Sequence, residues 1–377
     1  MKRVLFVADA VAAPANSDAQ RSLTFAKHLE EHGWEPIVLT AGGGRVAAAL
    51  QGAVPGLQQR LTLGAAKRIF RNTAFDAVFA AGEWQALTLG RAIAEATDRP
   101  LIADFGDASS SGTDADESAL VGAATAVIST TDRLRQQMAN THPAIDEERF
   151  VAIHRGFDAD HPASVVPPRS DRPLRIVYTG AWTGQSNPGA LYNTIDWIHR
   201  SDPRALDGIE VIAAGFASGE ARRRGLSRHI REAGVLSHDE SIALLRSAHL
   251  SYLCHDAPER QFAVPGNLYV CLASGTPLIA QTDPGGETAR MVRRLGGGKV
   301  VSPDDPGDLY YTLLDVCRTK TVEVPPLDTD ALWSFEGRAL SAKLAGILDA
   351  ATARAPIRIS EPRAPFPAVA FPRLRTR

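Results

Sequence analysis

Cysteine is scarce in this chain, and the three present do not make pairs. Cys254, Cys271 and Cys317 all lie in apolar stretches of the second half. An odd number in such contexts predicts buried, reduced thiols rather than disulfides. An excess of one charge is also missing. A net charge of −2 over 377 residues offers no polybasic field to nucleic acid or an anionic membrane. Long hydrophobic runs are absent, since no window approaches the roughly 18 apolar residues that would span a bilayer. The opening MKRVLFVADAVAAPAN has the basic-then-apolar order of a signal peptide, but Asp9 interrupts a short run. A buried first strand, Val4–Ala8, is the better reading, and the chain reads as cytoplasmic. Peripheral contact with a membrane-borne acceptor stays open. No His/Cys/Asp cluster has metal-ligand spacing, so no metal is expected. Gly42–Gly44 lacks the lysine and serine of a phosphate-binding P-loop and reads as a flexible loop.

What is present is an ordinary globular composition, 44% apolar and 22% charged. The length predicts two or three domains of about 100–200 residues each. In the first half, apolar strands alternate with amphipathic helices. Strands are expected at Val4–Ala8, Pro36–Thr40, Asp76–Ala80, Leu101–Phe105, Ala124–Ser129 and Arg149–Ile153. Helices are expected around Gln20–Gly33 (Leu23, Ala26 and Leu29 on one face), from about Ala48 to Phe70, and over Trp84–Thr97 and Asp132–Ala139. Such alternation means βαβ units and parallel sheets covered on both faces. Pro162–Pro173 holds four prolines and reads as a linker.

After the linker the pattern restarts. Strands are expected at Leu174–Thr179, Glu210–Ala214, Leu250–Cys254, Leu278–Ala280 and Lys299–Val301. Helices are expected over Gly189–Arg200, Gly219–Ala233, Glu287–Leu295 and Pro306–Cys317, with a capping box at Ser237 and Glu240 for one ending near Ala248. Ala331–Thr352 reads as one further helix. The tail from residue 353 carries five prolines and five arginines in Ala355–Arg377 and reads as disordered or surface-draped. The chain shows no repeats beyond the likeness of its halves.

The centre of the second half is Val264–Ala280, VPGNLYVCLASGTPLIA. Pro265 fits a first helical turn, where its missing N–H costs nothing. Val264, Leu268 and Leu272 then recur at helical spacing, with Cys271 alongside, and Gly275 stops the helix. A helix N-terminus reached through a glycine-bearing loop offers free N–H groups and a positive dipole end to an anion.

This stretch resembles the PGK-LYEYLA-G-P-ILA segment of GT-B glycosyltransferases of family 4. Other segments follow in the family's order. SDAQRSLTFAKHL (Ser17–Leu29) is similar to the acceptor-side loop and first helix, and DFGD (Asp104–Asp107) resembles DFRD. Ala126–Asp132 with VAIHRGFD (Val151–Asp158) resembles the passage into the linker. Gly234–Ala248 resembles the segment before the donor strand. The resemblance covers roughly residues 1–350. It implies an α/β GT-B architecture, two Rossmann-like domains facing each other across a cleft. The expected parts are an acceptor-side domain over 1–165, a nucleotide-sugar domain over 166–330, a helix over 331–352 returning to the first domain, and the tail 353–377.

The implied activity is retaining, metal-independent transfer of a sugar from a nucleoside diphosphate sugar to a small-molecule or glycan acceptor. The donor is a co-substrate; no cofactor is implied. Asp104 and Asp107 are the candidates nearest the acceptor hydroxyl, although the SSSGTD that follows gives Asp107 an alternative as a turn cap. Gly180, Trp182, Arg155, Arg260, Glu259, Val264, Gly266, Asn267, Leu268 and Glu287 are the donor-side candidates, and Ser17 and Arg21 the acceptor-side ones. Trp182 has packing against the linker as its alternative. Arg260 is expected to be the main cation on the diphosphate, with pairing to Asp256 or Glu259 as its alternative.

The chain departs from the family pattern at Asn267 (family lysine), Val270 (family ribose-holding glutamate) and Gly106 (family arginine). Glu259 or Glu287 is the candidate replacement acid. These losses favour a rival reading, a non-catalytic relative acting as a binding or partner subunit. A nucleotide-sugar epimerase is a second rival whose motifs are not visible. Asp114–Asp116, Asp158–Asp160 and Asp328–Asp330 match a metal motif of an unrelated fold but read as loop turns and caps. His154 could line the cleft or be a plain linker residue, His238 reads as surface, and His255 follows a strand end facing the cleft. The sequence sets no oligomeric state.

Overall fold

Runs of apolar residues without alternation become strands buried on both faces. The computed structural model describes residues 1–8, 17–40, 74–107, 114–159, 173–180, 182, 187–257 and 260–357. The expected helix from about Ala48 to Phe70, the linker and the tail beyond residue 357 lie outside them. Among the described residues the chain forms two compact units, one from residues 1–158 and 336–357, the other from residues 159–335.

The first unit holds β1 (Lys2–Ala8), β2 (Trp34–Thr40), β3 (Ala77–Ala81), β4 (Leu101–Gly106), β5 (Ala126–Ser129) and β6 (Phe150–Ala152). They pair in parallel in the order β2-β1-β3-β4-β5-β6. Successive residues of β1 serve opposite cores, because side chains alternate across a strand. Val4 and Phe6 pack with Phe25 and Leu29, while Leu5 and Val7 pack with Leu87 and Ile93. The helices are α1 (Ser17–His28), α2 (Trp84–Thr97), α3 (Asp114–Ala123) and α4 (Asp132–Thr141). The buried face of α1 is Arg21, Ser22, Phe25 and His28, and Leu23 is exposed. Of the stripe expected from Leu23, Ala26 and Leu29, Leu29 is buried in the core, Ala26 is half-buried and Leu23 is exposed, so the buried face of α1 lies about a third of a turn away. An ion pair and a histidine occupy positions that a purely apolar pattern assigns to solvent. Helix α3 was not expected; Asp114, Asp116 and Glu117 in its first turn complement the dipole, so this DxD lies in a helix rather than a loop.

The second unit holds β7 (Leu174–Thr179), β8 (Ile209–Ala214), β9 (Ile230–Gly234), β10 (Leu250–His255), β11 (Leu278–Thr282) and β12 (Gly298–Val301). All pair in parallel in the order β12-β11-β10-β7-β8-β9. Counted from β7, this is the 3-2-1-4-5-6 order of a dinucleotide-binding sheet, with its reversal between β7 and β10. Its helices are α5 (Gly189–Ser201), α6 (Glu220–Arg223), α7 (His238–Arg246), α8 (Gly266–Ala273), α9 (Glu287–Leu295), α10 (Pro306–Thr319) and α11 (Thr329–Trp333). The expected helix Gly219–Ala233 is instead the four residues of α6 followed by edge strand β9. Gly219 and Gly225, both at positive φ, bracket the short helix. Glu232 then accepts from the Gly219 and Ala221 N–H groups, the Ser218 hydroxyl and the Tyr192 hydroxyl, tying β9 to α6 and α5.

The final expected helix is two. α11 ends before Phe335, and α12 (Gly337–Ala353) restarts with Glu336 as its cap, accepting from the Arg338 N–H. Leu340, Leu344, Ile347 and Leu348 of α12 pack in the first unit with Phe25, Leu29 and Trp34.

Candidate functional site

In open α/β sheets, ligands bind beyond the carboxyl ends of the strands at the point where the strand order reverses. In the second unit that point lies past Thr179 of β7 and His255 of β10. Three loops are tied together there. Asn267, in the first turn of α8, donates its side-chain N–H to the Thr179 carbonyl at 3.1 Å. The Glu287 N–H at the start of α9 reaches the Gln261 carbonyl at 2.7 Å. The Thr288 hydroxyl donates to the Ala263 carbonyl at 3.1 Å and therefore accepts from His255 Nδ1 at 2.9 Å. That assigns a proton to Nδ1 of this buried imidazole.

The sequence dictates these positions simply. Pro265 is the N-cap of α8 and contributes no N–H; Gly286 is the N-cap of α9. Gly180 passes directly against Gly215, whose φ is +107° and whose added Cβ would fall 2.2 Å from the Gly180 carbonyl oxygen. Trp182 packs edge-on against Tyr192 and Phe216, with ring centroids at 5.4 and 4.9 Å, and so walls this loop with aromatic surface.

The donor-side candidates divide accordingly. Val264 and Leu268 are buried packing residues, while Gly266 and Asn267 open α8. Arg260 is partly exposed in the loop after β10, and no ion pair to its side chain occurs among the described residues. Glu287 is fully buried, with Oε1 held by Arg290 Nε at 3.0 Å. Glu259 lies outside the described residues.

The first unit gathers the remaining candidates. Arg21 Nε donates to Asp104 Oδ2 at 2.9 Å, and its two terminal nitrogens reach the His154 and Ile153 carbonyls at 2.5 and 2.7 Å. Asp104, 2% exposed, also accepts from the Gly106 N–H at 3.0 Å, so both its oxygens are engaged. Gly106, where the resembled family has arginine, adopts φ +61° to present that N–H. Asp107 receives Arg155 through Nε at 3.0 Å and Nη2 at 2.8 Å, and accepts from the Thr130 hydroxyl. Arg155, expected on the donor side, is thus buried against a first-unit strand end. Ser17 begins α1, and its side chain lies outside the described residues. His154 is buried, and His238 opens α7 directly after its N-cap Ser237, within the Ser237–Glu240 capping box.

The three cysteines are buried free thiols. Burial pushes Cys254 and Cys271 up to about 12 and Cys317 to about 11, so none is a nucleophile near neutral pH. The sequence reading found no metal-ligand spacing, but folding gathers His28, Asp158 and Glu336. They lie too far apart along the chain for any local motif to announce them.

Solved structures share this architecture over nearly its whole length. The lipopolysaccharide outer core galactosyltransferase WaaB, in its apo form, matches with TM-score 0.62 at 12% identity, covering 93% of this chain and 99% of that one. Sucrose-phosphate synthase from Thermosynechococcus elongatus matches with TM-score 0.59 at 14% identity, covering 94% and 97%. The UDP-GlcNAc 2-epimerase from Methanocaldococcus jannaschii matches with TM-score 0.58 at 11% identity, covering 93% and 99%. The fold is the GT-B fold. No family model matches the sequence, and no curated protein matches it. No described helix is long and apolar enough to cross a membrane.

Proposed function

We propose that the chain is a glycosyltransferase that takes a sugar from a nucleoside diphosphate sugar, with the nucleotide on the second unit. One observation carries this reading. The 3-2-1-4-5-6 sheet has its reversal point furnished with an aromatic-walled glycine loop, two helix starts and an arginine. The likeness to WaaB and sucrose-phosphate synthase supports transfer, and the family 4 motifs support retention of configuration.

In the transfer, the bond between the anomeric carbon and the diphosphate oxygen breaks and one to the acceptor oxygen forms. The acceptor's proton leaves with the diphosphate. The departing charge needs positive partners, which the α8 and α9 N-termini and Arg260 supply, so the step runs without a metal. Arg260 is suited to this role because a forked guanidinium holds two phosphate oxygens at once. Asn267 replaces a charge with a brace between α8 and β7, leaving more of the work to Arg260. Asp104 and Asp107 are the candidates beside the acceptor, and each is held at its strand end by a buried arginine, Asp104 by Arg21 and Asp107 by Arg155. The protein acts in the cytoplasm on a small-molecule or glycan acceptor.

A panel of UDP, GDP, TDP and their sugars in a thermal-shift assay tests the reading. One nucleotide should stabilise the full chain, and Arg260→Ala should remove most of the effect of the diphosphate while sparing that of the nucleoside. The losses at Asn267 and Val270 favour a non-catalytic binding subunit instead. Nucleotide binding with no sugar released under any acceptor would select it.

A further inference from the structure

His28 closes α1 and is 1% exposed, and Glu336, which caps α12, is equally buried. With Asp158 they present ligand atoms all within 4.8 Å of one another. We propose that these three side chains bind one divalent cation of the zinc class, a site separate from the sugar-transfer machinery.

The imidazole decides the matter. Its Nδ1 lies 3.1 Å from Glu31 Oε1, so Nδ1 carries a proton, and in the neutral ring Nε2 presents its lone pair. Nε2 has no hydrogen-bond partner and stands 3.5 Å from Asp158 Oδ2. With the ring neutral, Nε2 and Asp158 Oδ2 are two acceptors facing each other, an arrangement that a cation between them relieves. Burial opposes the protonated ring, but Asp158 and Glu31 favour it, so binding the ion would release that proton. A shared proton would draw them to about 2.7–2.9 Å. Two ligands about 2.0–2.2 Å from a tetrahedral zinc ion stand roughly 3.4 Å apart. The 3.5 Å between His28 Nε2 and Asp158 Oδ2 fits the ion.

The surroundings match such a centre. Metal-binding histidines commonly donate their other ring N–H to a carboxylate, the part Glu31 plays. The two ligand carboxylates are oriented in turn: Lys27 Nζ lies 2.7 Å from Asp158 Oδ2, and the Arg338 N–H lies 2.7 Å from Glu336 Oε2. Lys27 and Arg338 against Glu31, Asp158 and Glu336 leave one net negative charge beside the imidazole. Gly337 lets the backbone approach, since an added Cβ would fall 2.6 Å from Thr24 Cγ2 and 3.2 Å from the His28 ring. One imidazole with two carboxylates suits zinc, with a water in the fourth position. Asp158 ends the first segment of its unit and Glu336 begins the second, so the ion would clip both to α1.

The test is titration of the EDTA-treated, desalted full chain with Zn²⁺ by calorimetry and with Co²⁺ by visible absorption. The site predicts one ion per chain, a Co²⁺ ligand-field band, and a melting temperature raised by roughly 5–10 °C at a hundredfold excess over Kd. His28→Gln and Glu336→Gln should each weaken binding at least tenfold and abolish the band. Asp158→Asn provides a third reading should the more buried variants not show native circular dichroism. His229→Asn should change nothing, since His229 lies in the other unit beside His199, their rings 5.2 Å apart. Absence of stoichiometric binding, or binding lost in His229→Asn and kept in His28→Gln, would overturn the proposal.

Discussion

Two arginines at strand ends illustrate how burial separates structural from functional charge. Arg21 is buried with Asp104 and two carbonyls, so removing one partner leaves an uncompensated charge away from water. Asp104→Ala should therefore lower unfolding free energy by about 3–5 kcal/mol in a urea titration. Arg260 is partly exposed. Arg260→Ala should shift stability by less than about 0.5 kcal/mol yet remove nearly all transfer, and Arg260→Lys should lose much of it. Stability and turnover measured on both variants check the pair; Arg260→Ala with normal turnover would return this residue to the plain surface. The sequence marked Arg21, Asp104, Asp107 and Arg155 as candidates. It could not show that they form two ion pairs, because partners 83 and 48 positions apart meet only in the folded sheet.

Among the elements, the loops around β8 and β9 hold the second sheet's edge. Gly215 carries φ +107° against the Gly180 carbonyl, so Gly215→Ala should cost about 1–3 kcal/mol from backbone strain alone, more from the clash. Burial alone would raise the pKa of Glu232, but the Gly219 and Ala221 N–H groups with the Ser218 and Tyr192 hydroxyls bring it below the usual value. A depressed carboxylate pKa contributes stability that is full above the unfolded value, near 4.5, and lost as pH falls through the folded one. Glu232→Gln should accordingly cost about 1–3 kcal/mol at pH 7 and progressively less toward pH 3. Comparing pH–stability curves of the two proteins measures this difference. Strands and helices with one strong period, such as Trp84–Thr97 and Glu287–Leu295, were legible to the residue. Gly219–Ala233 was not: its charged residues suit a helix, and only the glycines at positive φ and the Glu232 brace make it a turn and an edge strand. The break at Phe335 was hidden similarly, because Glu336 acts as a cap only through its side chain.

At the scale of the whole molecule, the alternation of strands and helices was enough to give two parallel sheets, because apolar runs without period-two alternation must be covered on both faces. What stayed hidden was the His28, Asp158 and Glu336 group, brought together by the return of α12 to the first unit. Transfer should persist in EDTA below the melting temperature, since Arg260 and two helix N-termini meet the diphosphate. Activity abolished by EDTA and restored by Mn²⁺ would contradict that assignment of charge. The central claim, a nucleotide held at the reversal point of the second sheet, is tested most directly by amide hydrogen exchange. The full chain would be followed with and without the nucleotide that stabilises it. Protection confined to residues 178–182, 260–270 and 282–290 is the predicted result. Protection only within residues 1–158, or none with any nucleotide diphosphate, would contradict the account.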